Sequence, residues 1–331
     1  MPLTIVRNDI TKMEVDAIVN AANTALQMGG GVCGAIFEKA GAEKLQAACD
    51  RISPIKTGEA ALTKGFGLPA KYVIHAAGPV YRGGKYDEEK LLYSCYINSL
   101  ELAKTHKCGS VAFPLISSGI YGYPKSEALA VATKALKEWL LSNEMEVFLV
   151  VFDKASFELS KDLTDQVKSF IDKNYVAIKE KKHAARTQIT EEYFADFPHS
   201  KVMQPETQAI AAEMFAEKLD EPFSETLLRL IDNKGKTDVE IYKRANIDRK
   251  LFSKIRTGKN YIPSKKTAVA LAVALELSLA ETRDLLERAG FALSRSMMFD
   301  VIIEYFITQK KYDIYEINNV LFEYDQPVLG G

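Results

Sequence analysis

Val19-Asn20-Ala21-Ala22-Asn23 runs on to Gly29-Gly30-Gly31-Val32-Cys33-Gly34-Ala35-Ile36-Phe37, and this order decides the fold. An apolar strand delivers two asparagines, and a triple glycine then opens a helix. Glycines let backbone N–H groups approach a ligand with no Cβ in the way. The helix that follows points the positive end of its dipole at the same spot, which is the arrangement that holds phosphate. A second loop, Ser117-Ser118-Gly119-Ile120-Tyr121-Gly122-Tyr123-Pro124, follows the apolar run Val111–Phe113 and again precedes a helical pattern. Two such loops facing each other predict a slot for a diphosphate, with asparagine amides beside it for a sugar.

The flanking sequence supplies the frame. Strand signals at Leu3–Val6, Ala17–Val19, Ala60–Thr63, Tyr72–Ala76, Val111–Phe113 and Val147–Phe152 alternate with helical patterns. The helices are expected at Val32–Ala40, Glu43–Arg51, Glu88–Thr105, Ser126–Leu141 and Phe157–Lys173, with Gly41 stopping the first. This alternation predicts an α/β domain with helices on both faces of a sheet. Ligands there bind beyond the carboxyl ends of the strands, where both glycine loops fall. No Gly-Lys-Ser/Thr follows the glycines, and no G-x-G-x-x-G precedes a downstream acid. Those absences argue against a nucleoside triphosphatase and a dinucleotide oxidoreductase.

Over about residues 1–175 these motifs resemble the macrodomain, a module that binds ADP-ribose, in its bacterial type. The resemblance implies a mixed central sheet between helices and a role for each matching residue. Asn8-Asp9-Ile10 is similar to the family's Gly-Asp-Ile, so Asp9 would accept from the exocyclic amine of adenine, with Ile10 beside it. Phe152 would stack on adenine. Gly29, Gly30, Gly31 and Val32 would hold one side of the diphosphate, and Ser118, Gly119, Ile120 and Tyr121 the other, with Tyr121 flanking the distal ribose. Asn23 would hold that ribose, and Asn20 either joins it or braces the loop backbone. His75, Cys49, Cys95 and Cys108 are expected to be satisfied core residues.

One position departs from the family. Hydrolytic macrodomains commonly continue the triple glycine with Val-Asp-Gly, and here Cys33 stands where that aspartate would be. Loss of a general base is typically worth about 10²–10⁴-fold in rate. Viral macrodomains that resemble this one carry alanine there and remain hydrolases, so a ligand phosphate oxygen could orient the water. Asn23 and the Cys33 position are thus the candidate catalytic sites. The resemblance implies ADP-ribose binding and hydrolysis of mono-ADP-ribosyl conjugates or O-acetyl-ADP-ribose. No cofactor and no metal is expected, with ADP-ribose as ligand or product. Two alternatives are a non-catalytic ADP-ribose sensor controlling the second half of the chain, and removal of ADP-ribose from nucleic acid.

The chain has 331 residues, 47 % of them hydrophobic and 26 % charged, which suits two globular domains. Its net charge of −1 exerts no chain-wide pull on nucleic acid or membrane. Four cysteines with no CxxC read as reduced thiols. No long apolar run and no signal-like N-terminus appears, so the expected location is cytoplasmic, away from membranes.

The expected division is a macrodomain over 1–176, a charged linker with some helix (Glu206–Lys218) over 177–221, and an all-helical domain over 222–331. Residues 223–331 weakly resemble a phage-repressor-like helix-turn-helix domain. Thr237-Asp238-Val239-Glu240 and Ser278-Leu279-Ala280-Glu281 read as capping boxes opening helices, and further helices are expected at Lys265–Leu277 and Leu279–Ala289. Asn246 falls where that motif has a turn glycine, and asparagine tolerates a left-handed backbone. Tyr242 is bulkier than the alanine usual at its position. Asp232 to Lys266 holds eleven Lys/Arg against four Asp/Glu, a net of +7, whereas Thr267 onward is net −5. Arg249, Lys250, Ser253, Lys254 and Thr257 would project from the second helix, with Arg256 and Lys259 near phosphates. The partner expected through residues 232–266 is DNA or a protein.

Overall fold

Six strands form one mixed sheet in a computed structural model that describes residues 2–151, 166–171, 221–258 and 261–330. The strands are β1 (Leu3–Arg7), β2 (Ala17–Ala22), β3 (Ala60–Lys64), β4 (Tyr72–Ala77), β5 (Ser110–Pro114) and β6 (Glu146–Val151). Their order across the sheet is β1-β6-β5-β2-β4-β3. All neighbours run parallel except the β3–β4 pair. Strand β2, which carries the asparagines, therefore lies inside the sheet between β5 and β4.

Side chains alternate across a strand, and the two faces collect separate cores. Ile18, Val73, Ala112 and Val150 face one side, where they meet Ile36 and Phe37 of α1 (Gly31–Ala40) and Leu45 of α2 (Ala42–Cys49). Val19, Ile74, Phe113 and Leu149 face the other, under Tyr96 and Leu100 of α3 (Glu88–Thr105) and Leu136 of α4 (Lys125–Ser142). The strands are apolar on both faces because both are covered, as parallel sheets require. Gly41 ends α1 at φ 94°, a backbone that favours glycine. Phe152 and the helix expected over Glu206–Lys218 lie outside the described residues. So does most of the helix expected over Phe157–Lys173.

From Pro222 onward the described elements are helical: α5 (Phe223–Asn233), α6 (Asp238–Arg244), α7 (Arg249–Thr257), α8 (Lys265–Ala274), α9 (Leu279–Arg288), α10 (Met298–Thr308) and α11 (Ile314–Glu323). Every residue of α8 from Thr267 to Ala274 is buried, so this helix forms the centre of an all-α unit with its own core. Both capping boxes form, at Thr237 with Glu240 and at Ser278 with Glu281. The described segment 166–171 packs into this helical core through the fully buried Val167, and Tyr305 Oη donates to Gln166.

The helical unit is seated on the sheet's open edge. Strand β1 has β6 on one side only, so its outer backbone groups need other partners. Asn246 supplies them: Leu3 N–H donates to its Oδ1 and its Nδ2 donates to Leu3 O, both at 2.8 Å and buried. Asn246 itself sits at φ 54° in the turn between α6 and α7. At the other end of β1, Arg7 pairs with Asp325 at 3.1 Å and lies 5.5 Å over the Phe322 ring. Tyr242, bulkier than its position suggested, reaches across to Glu144 at 3.2 Å. Lys137 pairs with Asp313 along the same seam. No helix among the described residues is long and apolar enough to cross a membrane.

Candidate functional site

The chain leaves β2 at Ala22 and folds back on itself. Asn23 clamps that turn, its Nδ2 donating to Gln27 O at 2.8 Å and its Oδ1 accepting from Gln27 N–H at 3.1 Å. Gln46 of α2 holds the next stretch, accepting from Met28 N–H and donating to Leu26 O. Gly30 then begins α1 with no side-chain cap, and Gly31 adopts φ 61°. The first N–H groups of a helix have no partner within it, so α1 offers uncapped donors here. The opposing loop leaves β5 at Pro114 and turns through Ser117 at φ 64°. It comes near Gly30 of the first loop, where an added Cβ would stand 3.3 Å from Ile120 Cδ1.

Between the two loops is a cleft of about 360 Å³. Asn23, Gly29, Gly30, Gly31, Val32 and Cys33 line one wall, and Gly119, Ile120 and Tyr121 the other. The volume lies within the roughly 300–1,000 Å³ of small-molecule sites. Ser117, which opens the second loop, lines it as well, and so do Gly78, Leu115 and Ile116, which were not named from the sequence. A Cβ on Gly78 would crowd Ser117 Oγ and Ile116 Cγ2, so any side chain there would push these lining residues aside. The one available signal was Gly78-Pro79 directly after a buried strand. Ser118 turns inward, its Oγ donating to Leu115 O at 2.8 Å, and shapes the loop without lining the cleft.

No lysine, arginine or carboxylate lines this cleft among the described residues. What the walls offer an anion is backbone donors, a helix dipole and the neutral side chains of Asn23, Ser117 and Tyr121, a chemistry suited to phosphate. Asn20 stands behind the wall and is fully buried. Its Nδ2 donates to His75 Nδ1 at 3.1 Å and to Cys33 Sγ at 3.6 Å. His75 Nδ1 is therefore the acceptor, which leaves Nε2–H to donate to Thr63 Oγ1 at 2.9 Å. Burial pulls the His75 pKa down to about 4, so the ring is neutral and braces the wall. Burial likewise pushes the Cys49 thiol up to about 12, with the neighbouring Cys33 and Asp50 adding to it. Cys33 reaches the cleft while almost fully buried.

Asp9 lies just past β1 and caps a short 3₁₀ turn, Ile10–Lys12. Its Oδ1 accepts from Thr11 N–H at 3.0 Å and Thr11 Oγ1 at 2.7 Å. The Thr11 hydrogen bonds hold its carboxyl below the usual range, aided by Lys12, so it is an ionised acceptor. Ile10 is buried in the core beneath it.

A macro domain family model matches residues 19–132. A macro domain-containing protein of Chlorobaculum tepidum is 52 % identical over 147 residues, which is 44 % of this chain and 84 % of that protein. The chain belongs to the macrodomain family. The O-acetyl-ADP-ribose deacetylase of Escherichia coli is 43 % identical, over 49 % of this chain and 94 % of its own length. The human ADP-ribose glycohydrolase MACROD2 is 45 % identical, over 52 % of this chain and 41 % of its own length. Each likeness covers about half of this chain. The macrodomain carries the mixed α/β sheet, and the helical unit follows it.

The candidate nucleic-acid residues stand apart from the cleft. Arg249, Lys250, Ser253, Lys254, Arg256 and Thr257 are exposed on α7, and Arg256 pairs with Asp238. Lys259 lies outside the described residues.

Proposed function

We propose that this macrodomain binds ADP-ribose in the cleft and hydrolyses mono-ADP-ribosyl conjugates or O-acetyl-ADP-ribose. The observation that carries the reading is the pair of facing glycine loops, with α1 aimed between them and no charged side chain on the walls. The activities printed in the names of the E. coli and human relatives point the same way. Asp9, an ionised acceptor, takes a hydrogen bond from the adenine amine. The two loops grip the diphosphate. Asn23 keeps one lone pair on Oδ1 and one hydrogen on Nδ2 beyond its loop clamp, and these hold the distal ribose. Water attacks the ribose C1″ linkage or the ester carbonyl, oriented by a ligand phosphate oxygen, because no wall carboxylate can take its proton.

The deciding experiment measures free ADP-ribose released from mono-ADP-ribosylated protein and from O-acetyl-ADP-ribose. Wild type should turn over, and Asn23→Ala should lower the rate by at least about a hundredfold, through lost ribose orientation. Binding without release by wild type would overturn the hydrolase reading. Cys33→Asp restores an acid at the head of α1 and should raise kcat by roughly tenfold or more. An unchanged kcat would leave water orientation to the ligand phosphate.

A second reading is a sensor that binds ADP-ribose without turnover and signals through the helical unit. It is favoured by Arg7, two residues before Asp9, which is tied to Asp325 and Phe322 of that unit. Under this reading the release assay is silent while ADP-ribose changes proteolytic protection around Asp325.

A further inference from the structure

Exposed large apolar side chains gather at the mouth of the cleft. Ile120, which lines it, is 80 % exposed. Met28 is 42 % exposed and directly precedes the lining residue Gly29. Val80 is 49 % exposed and stands two residues past the lining Gly78. The next residue, Tyr81, donates its N–H to Tyr121 O at 2.9 Å, which fixes Val80 beside the second glycine loop. A diphosphate with its riboses is polar and gains little from such a rim. Exposed apolar groups that border a binding cleft mark a surface for a further partner.

The chain past Val80 is held in shape. Glu88, buried at the head of α3, accepts from Arg82 N–H at 3.0 Å and from Tyr86 N–H at 2.6 Å. Between these two anchors Gly83 and Gly84 turn the chain at φ 88° and 76°. The Tyr81 ring packs 4.7 Å from the Tyr123 ring, and its Oη donates to Glu127 at 3.4 Å, so the root of the turn is tied to the second loop and to α4. A surface already in its bound shape loses little entropy when it docks a partner. The Arg82 side chain is exposed on this turn, and among the described residues no carboxylate lies within ion-pair distance of it. Lys85, farther along, lines a separate hollow with Asp87 and Glu89. Arg82 is therefore the cation that stands beside the apolar rim.

We propose that this rim docks the polypeptide that carries the ADP-ribosyl group, with Met28, Val80 and Ile120 against its apolar side chains and Arg82 on an acidic one. The proposal rests on the reading of the cleft as an ADP-ribose site and names the partner class of that same site. The conjugated group leaves from the distal ribose, which Asn23 and Tyr121 flank, and both residues belong to the walls beneath this rim. A modified protein therefore lays the chain around its modified residue on Val80 and Arg82. The acetyl group of O-acetyl-ADP-ribose has no further chain to lay there. Conjugated protein is thus the better partner, and an aliphatic residue with a nearby acid is the favoured surrounding. The proposal concerns binding and stands whether or not the cleft hydrolyses its ligand.

The test is calorimetry with the full chain, comparing free ADP-ribose with two synthetic peptides that carry ADP-ribose through a hydrolysis-resistant linkage. One peptide has leucine beside the modified residue and glutamates beyond it, and the other has serines at those places. Wild type should bind the leucine–glutamate conjugate at least about tenfold tighter than free ADP-ribose, and the serine conjugate within about threefold of it. Val80→Ser should cost the first conjugate about threefold through lost apolar burial. Arg82→Glu should cost it about fivefold, and salt raised from about 50 to about 500 mM should shrink that difference while leaving the Val80 effect in place. Both variants should melt like wild type and bind free ADP-ribose like wild type. Equal affinity of wild type for the two conjugates, or variants that keep the full preference, would overturn the proposal and leave the cleft reading intact. Absence of binding to free ADP-ribose would overturn the cleft reading, and this proposal would fall with it.

Discussion

Glutamate in place of Gly30 will weaken ADP-ribose binding by at least about a hundredfold, roughly 2.8 kcal/mol, as measured by calorimetry. Three effects act together at that position. The new Cβ stands 3.3 Å from Ile120 Cδ1 on the opposing loop. The carboxylate lies against the uncapped start of α1 and occupies donors meant for the ligand. Its charge also repels the diphosphate in a cleft whose described walls hold no neutralising cation. The fold should survive, because Gly30 is exposed and its φ of −85° is open to any residue. A variant that melts like wild type and binds ADP-ribose equally well would remove the phosphate assignment from the first loop. Gly31 is less suited to this test, since its φ of 61° adds backbone strain to any substitution.

Asn246→Ala should destabilise the protein by about 3 kcal/mol. Two costs contribute. The Leu3 N–H and C=O lose buried partners, at about 1–3 kcal/mol for each group left unsatisfied. Alanine at φ 54° adds about 1 kcal/mol that asparagine largely avoids. A melting temperature lower by roughly 5–10 °C is expected. Asn246→Gly separates the terms, since glycine accepts the backbone and still lacks the amide. It should recover only the smaller part. If alanine melts like wild type, the amide is not what holds the helical unit to the sheet. Gly330 guards the same spot, where any Cβ would meet Asn246 O at 2.2 Å.

The macrodomain was legible because its signals are local. Apolar runs of strand length bounded by glycine loops gave the alternation, and α3 spans the residues its pattern predicted, Glu88–Thr105. Both capping boxes and the left-handed Asn246 followed from residue types at fixed spacing. The glycine walls of the cleft were likewise visible, since a helix start with no Cβ before it needs no distant partner to offer its donors. Other residues took their roles from neighbours. The sequence leaves Asn20 between a ribose contact and a brace for the loop backbone, and the hydrogen bond to His75 turns its amide into the wall. Ser118 has a loop hydroxyl's freedom until Leu115 O captures it. Tyr242 looked too bulky for its helix pair, and the structure gives its hydroxyl a partner on the macrodomain in Glu144.

By itself the sequence determined the sheet, its covering helices and the presence of two glycine loops at strand ends, because glycine, helix starts and apolar period act over a few residues. Tertiary structure alone decided that Gly78 and Ser117 would share one floor, that His75 would be neutral, and that the helical unit would close the β1 edge. Those outcomes depend on pairs far apart in the chain, with Leu3 and Asn246 separated by 243 residues. Neither member of such a pair carries a local mark of the other, so only packing could bring them together.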